Sequence, residues 1–224
     1  MFIERPPLLY RILFPNATWR IPAPADESKV VYLTFDDGPI PEVTPWVLEQ
    51  LRIRDIRATF FCVGENVWRH PDIFEQILEE GHGVGNHTYH HLQGIKTNTA
   101  DYLQDVYKAN KLIKSRLMRP PHGHIGWCQL RGLMNQYQVI MWDLVTRDYS
   151  KKQSPQKVLE NVKRYARNGS IIVFHDSLKA EKNLRYALPL ALDHLMEDGY
   201  EFRLLPGARH LESNIFDQEL EEAI

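Results

Sequence analysis

The sequence predicts a single α/β domain, a closed or nearly closed β/α barrel of about seven parallel strands. Two observations carry this. β-type runs and helical runs alternate along most of the chain, the pattern of parallel strands joined by crossover helices. Polar residues cluster where those strands should end, at Asp36 and Asp37, His87 and His91, Arg119, Asp148, and His175 with Asp176, and β/α barrels build their sites at the C-terminal ends of strands.

Length and composition agree. The chain has 224 residues, 43% hydrophobic and 25% charged, which is ordinary for one globular domain with a sizeable core and unlike a disordered chain. A net charge of -2 with mixed signs leaves no basic stripe, so nucleic acid is not an expected partner. Cys62 and Cys128 lie in or beside apolar runs, with no C-x-x-C pair, and are expected to be two free, buried thiols. The segment from Met1 to Pro24 holds five prolines and no uninterrupted apolar stretch long enough for a signal peptide or a membrane span. No signal peptide or transmembrane segment is therefore expected, and the chain reads as cytoplasmic. Leu8 to Phe14, apolar and basic, either lies against a membrane surface or covers the fold. The division expected is an irregular arm over 1–28, a catalytic domain over 29–206 and a tail over 207–224.

In chain order, Val30 to Phe35 is a β-rich run ending at Asp36. Thr44 resembles an N-cap, Pro45 suits a first helical turn, and Val47, Leu48 and Leu51 mark one helix face. Ala58 to Val63 is the next strand. Pro71 to Glu80 follows as a helix with Ile73, Phe74, Ile77 and Leu78 inward, stopped by Gly81. A short strand at Gly83 to Asn86, a long helix through about Ala100 to Leu117 and a turn-rich stretch from Arg119 to Gly126 come next. Val139 to Trp142 and Ile171 to Phe174 are strands flanking a helix that Ser154 caps and Pro155 opens. A last helix ends near Gly199, before a strand at Glu201 to Leu205.

Three groups of residues suggest chemistry. Asp36 and Asp37, adjacent in T-F-D-D-G-P at the end of an apolar strand, repel each other unless a cation or proton compensates. The plainer reading is a turn whose carboxylates cap local N–H groups. His87 and His91 in H-T-Y-H-H are four apart, which brings two imidazoles together on one helical turn or across a compact loop. With the paired carboxylates they favour a metal; His82 and His90 are assigned solvated or structural roles. His175, in I-I-V-F-H-D, leaves a very apolar strand and is a candidate general acid. The alternative is a strand-end histidine bonded to Asp176 or a backbone carbonyl.

T-F-D-D-G-P at Thr34 to Pro39, H-T-Y-H-H at His87 to His91, R-P-P-H-G at Arg119 to Gly123 and F-H-D at Phe174 to Asp176 occur in this order along about Val30 to Leu205. In them the chain resembles the polysaccharide deacetylases of carbohydrate esterase family 4. The resemblance implies a deformed β/α barrel, an N-acetylated sugar substrate and a divalent metal, usually zinc. It implies Asp37, His87 and His91 as the metal ligands, Asp36 as the general base, His175 as the general acid and Arg119 as the residue that positions the base. It also implies an oxyanion-stabilising backbone N–H near Pro121 or His122.

Two departures affect specificity and rate. His122, followed by His124, stands where the family usually has an aromatic after R-P-P, which alters either the groove wall or the metal shell; Pro121 and His122 are kept as substrate contacts, with a structural role for His122 as the equal alternative. The fourth motif, usually W-x-x-D-x-x-D-W, reads W-D-L-V-T-R-D-Y here. Val145 replaces one aspartate and Tyr149 the tryptophan, while Asp148 survives to orient His175. Asp143 either substitutes for the missing carboxylate or does not. Trp142 is taken as a substrate contact; Trp46, Trp68 and Trp127 could also stack on sugar rings, but aromatics near apolar helices or strands are more often core. The leading expectation is a metal-dependent N-deacetylase of chitooligosaccharide, peptidoglycan or a related glycan. A deformylase or other deacylase of a soluble or lipid-linked sugar shares the same site, and an inactive carbohydrate-binding protein is the third alternative.

Overall fold

Strand β1 (Val30–Asp36) is buried at every position, as expected of a strand covered on both faces. It is the centre of the computed structural model, which describes residues 4–24 and 27–210. After it come α2 (Thr44–Arg52), β2 (Thr59–Cys62), α3 (Gly64–Arg69), α4 (Pro71–Glu79), β3 (Gly83–Asn86), α5 (Thr99–Ile113), β4 (Leu117–Met118), α6 (Trp127–Leu133) and β5 (Gln138–Val139). Then follow β6 (Leu144–Val145), α7 (Pro155–Tyr165), β7 (Ser170–His175), α8 (Glu181–Glu197) and β8 (Glu201–Phe202); a short α1 (Leu8–Leu13) precedes them all. Every strand pairing is parallel.

The strand order is β5-β4-β3-β2-β1-β7-β6, with β8 paired to the start of β1. The two ends of this order, β5 and β6, follow one another in the chain across residues 140–143. A flat sheet would separate them by six spacings of about 4.8 Å, roughly 29 Å. Five extended steps reach only about 17 Å, so the sheet must curl until its edges approach. The result is the expected deformed barrel, open between β5 and β6. Residues of the amino-terminal segment occupy both edges: Thr18 donates to the Val139 carbonyl at 2.9 Å and accepts from Met141 N–H at 2.8 Å, and the Glu4 carbonyl accepts from Val145 N–H at 2.9 Å.

The helices pack outside, with Phe35, Phe60 and Phe174 stacked at 5.0 and 6.2 Å on the sheet within one large core cluster. Ser154 caps α7 by accepting from Lys157 N–H, and Pro155 opens that helix. Gly81 takes a positive φ of 77° just after α4. Elsewhere the structure corrects the expectations. Thr44 is the first helical residue and not the cap; its hydroxyl accepts from Ile40 N–H and donates to Asp176 instead. Helix α5 stops at Ile113 because Lys114 turns left-handed with φ 50°, which frees Leu117 for β4. The expected strand at Val139 to Trp142 is β5, two residues long, and the one expected at Glu201 to Leu205 pairs only at Glu201 and Phe202. Helices α1, α3 and α6 and strands β4 and β6 were not expected; α1 interrupts the arm read as irregular. Cys62 is buried but Cys128 is exposed, and both are free thiols. Cys128 sits in the first turn of α6 on its solvent side, a position that local apolar neighbours do not reveal. Of the expected tail, residues 211–224 lie outside the described residues. No helix among the described residues is long and apolar enough to cross a membrane.

Candidate active site

The carboxyl end of β1 delivers Asp36, and its register pairs Asp36 with Phe61 of β2 and with His175 of β7. The sheet thus makes the base and acid candidates direct strand neighbours. Asp37 follows with a φ of 86°, a conformation unfavourable for a side chain with a Cβ. Three contacts hold it. Asn66 of α3 donates to the Asp37 carbonyl at 2.8 Å, Val63 N–H donates to the Gly38 carbonyl at 2.9 Å, and Gly38 N–H donates to the buried Asp176 carboxylate at 3.1 Å.

The H-T-Y-H-H segment is a compact loop and not a helix. Asn86 accepts from Thr88 N–H at 2.8 Å, and Asp105 of α5 accepts from the N–H groups of Tyr89 and His90 at 2.8 and 2.9 Å. The amino end of α3 closes the loop from the other side, with Gly64 and Glu65 N–H donating to the Thr88 and Tyr89 carbonyls, each at 2.9 Å. One ligand-type atom each from Asp37, His87 and His91 then lies within 4.8 Å of the others.

The donor set fits a cation. His91 Nε2 lies 3.1 Å and His87 Nε2 3.7 Å from the Asp37 carboxylate. His87 Nδ1 is 2.8 Å from the Arg119 carbonyl. A carbonyl only accepts, so Nδ1 carries the proton and Nε2 turns its lone pair toward Asp37, the orientation that metal-ligating histidines show. Burial pushes the His87 pKa down to about 4, which keeps the ring neutral. Burial alone would raise the Asp37 pKa, but the His91 hydrogen bond and the neighbouring histidines hold it well below the usual range. Both groups are in the form that binds a cation.

Arg119 is fully buried. It donates to Asp36 at 2.6 Å and to Thr34 Oγ1 at 2.8 Å, and its other nitrogens reach the Ile140 and Met141 carbonyls. Asp148 accepts from His175 N–H at 2.7 Å and contacts its Nδ1 at 2.8 Å. Burial would lower the His175 pKa, but the charge and hydrogen bond of Asp148, with Asp37 and Asp36 beyond, push it up to about 9. His175 is therefore protonated at neutral pH with Nε2 free to donate. Its partner is Asp148, not Asp176; Asp176 instead braces Gly38 and Thr44.

His122 is exposed on the loop after β4, with its ring edge-on to His91 at 4.8 Å between centroids. Pro121 is buried behind it, and Trp142 packs against Gly123. Asp143 does not replace the missing carboxylate, because Arg11, Arg167 and Ser170 hold it at 2.7–2.9 Å, with Arg5 at 3.4 Å. His82 is buried in the core beside Phe60, and His90 turns to Asp105. Trp46 is half-buried, whereas Trp68 and Trp127 are mostly exposed. Asn66, Asp105, Thr44 and Asp176 shape the site, and of these only Asp176 lies within one of the motifs. Among the described residues, Asp37, Thr88, His91, His122 and Arg147 are five of the seven non-glycine residues with positive φ. Such strain, about 1–3 kcal/mol each, gathers where function requires it.

An Asp-His-His donor set beside a second carboxylate and a protonated histidine, at the strand ends of a β/α barrel, is an arrangement that suits metal-assisted hydrolysis. Comparison with known proteins agrees. The polysaccharide deacetylase family matches residues 23–132. A peptidoglycan-N-acetylglucosamine deacetylase of Bacillus cereus is 32% identical over 205 residues, 87% of this chain and 94% of that protein. The deacetylase PgdA of Listeria monocytogenes is 34% identical over 186 residues, 80% of this chain but 38% of its own length. Among solved structures, a peptidoglycan N-acetylglucosamine deacetylase superposes with a TM-score of 0.80 at 31% identity, covering 91% of this chain and 96% of that one. A carbohydrate esterase family 4 pseudoenzyme from Bacillus anthracis superposes with a TM-score of 0.70 at 29% identity, covering 81% and 67%. The chain belongs to the polysaccharide deacetylase family, carbohydrate esterase family 4. By that membership it is a hydrolase of the polysaccharide N-deacetylase class.

Proposed function

We propose that the protein removes N-acetyl groups from the amino sugars of peptidoglycan or a related glycan, with zinc held by Asp37, His87 and His91. The observation that carries this reading is the neutral, lone-pair-forward His87 beside an ionised Asp37, together with an intact base and acid. Tetrahedral sites of one carboxylate and two imidazoles, with a position left for water, suit zinc. When bound, the ion supplies Lewis acidity toward the acetyl carbonyl and the attacking water.

The chain's own residues do the rest. Asp36, fixed by Arg119, takes the water's proton. His175, charged through Asp148, gives its Nε2 proton to the departing amine. Pro121 has no N–H, so an oxyanion donor in this loop falls to His122 or a residue beyond it.

Metal content by elemental analysis, run with acetate release from N-acetylglucosamine oligomers and from peptidoglycan before and after chelation, tests the reading. One metal per chain with chelator-sensitive acetate release is the expected result. Metal without acetate release would move the chemistry to another acyl group, and no metal under any loading condition would overturn the proposal.

A further inference from the structure

The amino-terminal segment reaches two loops that carry site residues. At its start, the Glu4 carbonyl accepts from Val145 N–H at 2.9 Å and the Glu4 carboxylate accepts from Arg147 at 2.8 Å. Arg147 is left-handed, with φ 63°, and directly precedes Asp148, which holds His175. Farther along, Tyr10 Oη donates to the Gly123 carbonyl at 2.8 Å. Gly123 directly follows His122 and is left-handed too, with φ 70°; a Cβ there would come within 2.3 Å of the Trp142 ring.

The segment between these contacts is itself anchored. Arg5 and Arg11 converge on buried Asp143. The Tyr10 ring packs edge-on to Phe14 at 5.1 Å and Trp19 at 5.7 Å, and Phe14 and Trp19 belong to the core cluster of Met118, Ile125 and Met141. The Tyr10 hydroxyl is therefore presented from a fixed ring to a loop whose backbone is strained.

We infer that this segment is a strap that completes the active site, with Glu4 and Tyr10 as positioning residues for the Asp148–His175 pair and for the His122 wall. The inference rests on the deacetylase reading above. Glu4 acts through Arg147 on the loop of the acid, so its loss weakens proton delivery to the amine. Tyr10 acts through Gly123 on the wall beside His91, so its loss loosens substrate placement.

The test uses the full chain with Tyr10→Phe, Glu4→Ala and Glu4→Gln. Amide hydrogen exchange is followed over residues 121–126 and 146–149, and kcat and KM are measured on N-acetylglucosamine oligomers and on an activated aryl acetate. Tyr10→Phe should speed exchange over 121–126 and raise KM about three- to tenfold, the scale of one lost hydrogen bond. Glu4→Ala should speed exchange over 146–149 and lower kcat for the amide several-fold more than for the ester, with Glu4→Gln in between. Unchanged exchange and kinetics in folded variants would overturn the inference, as would a lowered Tm with wild-type kinetics at low temperature. Exchange reads positioning without turnover. A wild-type protein that releases no acetate would therefore sink the deacetylase reading while the exchange result still decides for or against the strap.

Discussion

The Arg119 guanidinium donates to the Asp36 carboxylate at 2.6 Å with both side chains shielded from solvent. Two of its nitrogens are committed to backbone carbonyls as well, so the arginine cannot swing and Asp36 inherits its rigidity. Arg119→Ala should leave an uncompensated buried carboxylate, costing about 3–5 kcal/mol of stability, and should slow turnover by freeing the Asp36 side chain. Chemical denaturation and a pH–rate profile check both. Asp36→Asn should keep bound metal and lose turnover; an active Asp36→Asn protein would end its assignment as base.

Asp37→Ala and His91→Ala should remove metal and activity together. Isothermal titration with zinc, beside acetate release, measures this. A variant that binds zinc with wild-type affinity would place the ion elsewhere.

On the proposed reading, His175 as the acid sets an alkaline limit. Its pKa is raised to about 9 from about 6.5, so it is charged across neutral pH and kcat/KM should fall as pH rises through about 9. The same charge contributes stability that is complete below about 6.5 and lost as pH climbs through about 9. Asp148→Asn removes the charge that raises it and leaves one acceptor oxygen where two N–H groups now converge, so the alkaline limb should move to lower pH. His175→Ala should slow amide hydrolysis more than that of an activated aryl ester, whose leaving group needs no proton; equal losses would remove it from the acid role.

Gly38 is set against Asp176 so closely that an added Cβ would lie 1.9 Å from the carboxylate. Gly38→Ala should displace Asp176 or the Asp36–Asp37 turn, lowering metal affinity about tenfold or more and lowering Tm. Gly126→Ala is the control, since its nearest neighbour would be 3.4 Å away and its φ of -81° is ordinary. A Gly38→Ala protein with normal zinc affinity would show that this contact does not hold the turn.

Asp36, Asp37, His87, His91, Arg119, Asp148 and His175 were all legible as candidates because each lies in an ordered motif at, or a few residues beyond, a strand end, where barrels place their chemistry. The residues that aim them were not. Asp105 is in the middle of α5 and meets Tyr89 and His90 only after folding. Asn66 is on a six-residue helix too short for any periodic pattern to reveal. β6 has two residues, and its existence depends on its neighbours Val173 and Glu4 more than on its own β propensity. Thr44 misled because its hydroxyl, well suited to capping a helix, is taken by Asp176 132 residues away.

The gap between β5 and β6 has a colloidal consequence. Two free strand borders are templates for pairing with another chain, and here Thr18 and Glu4 satisfy backbone groups on both of them. A protein shortened to begin after Trp19 would bare those borders together, and should pass from a single species to concentration-dependent oligomers in light scattering.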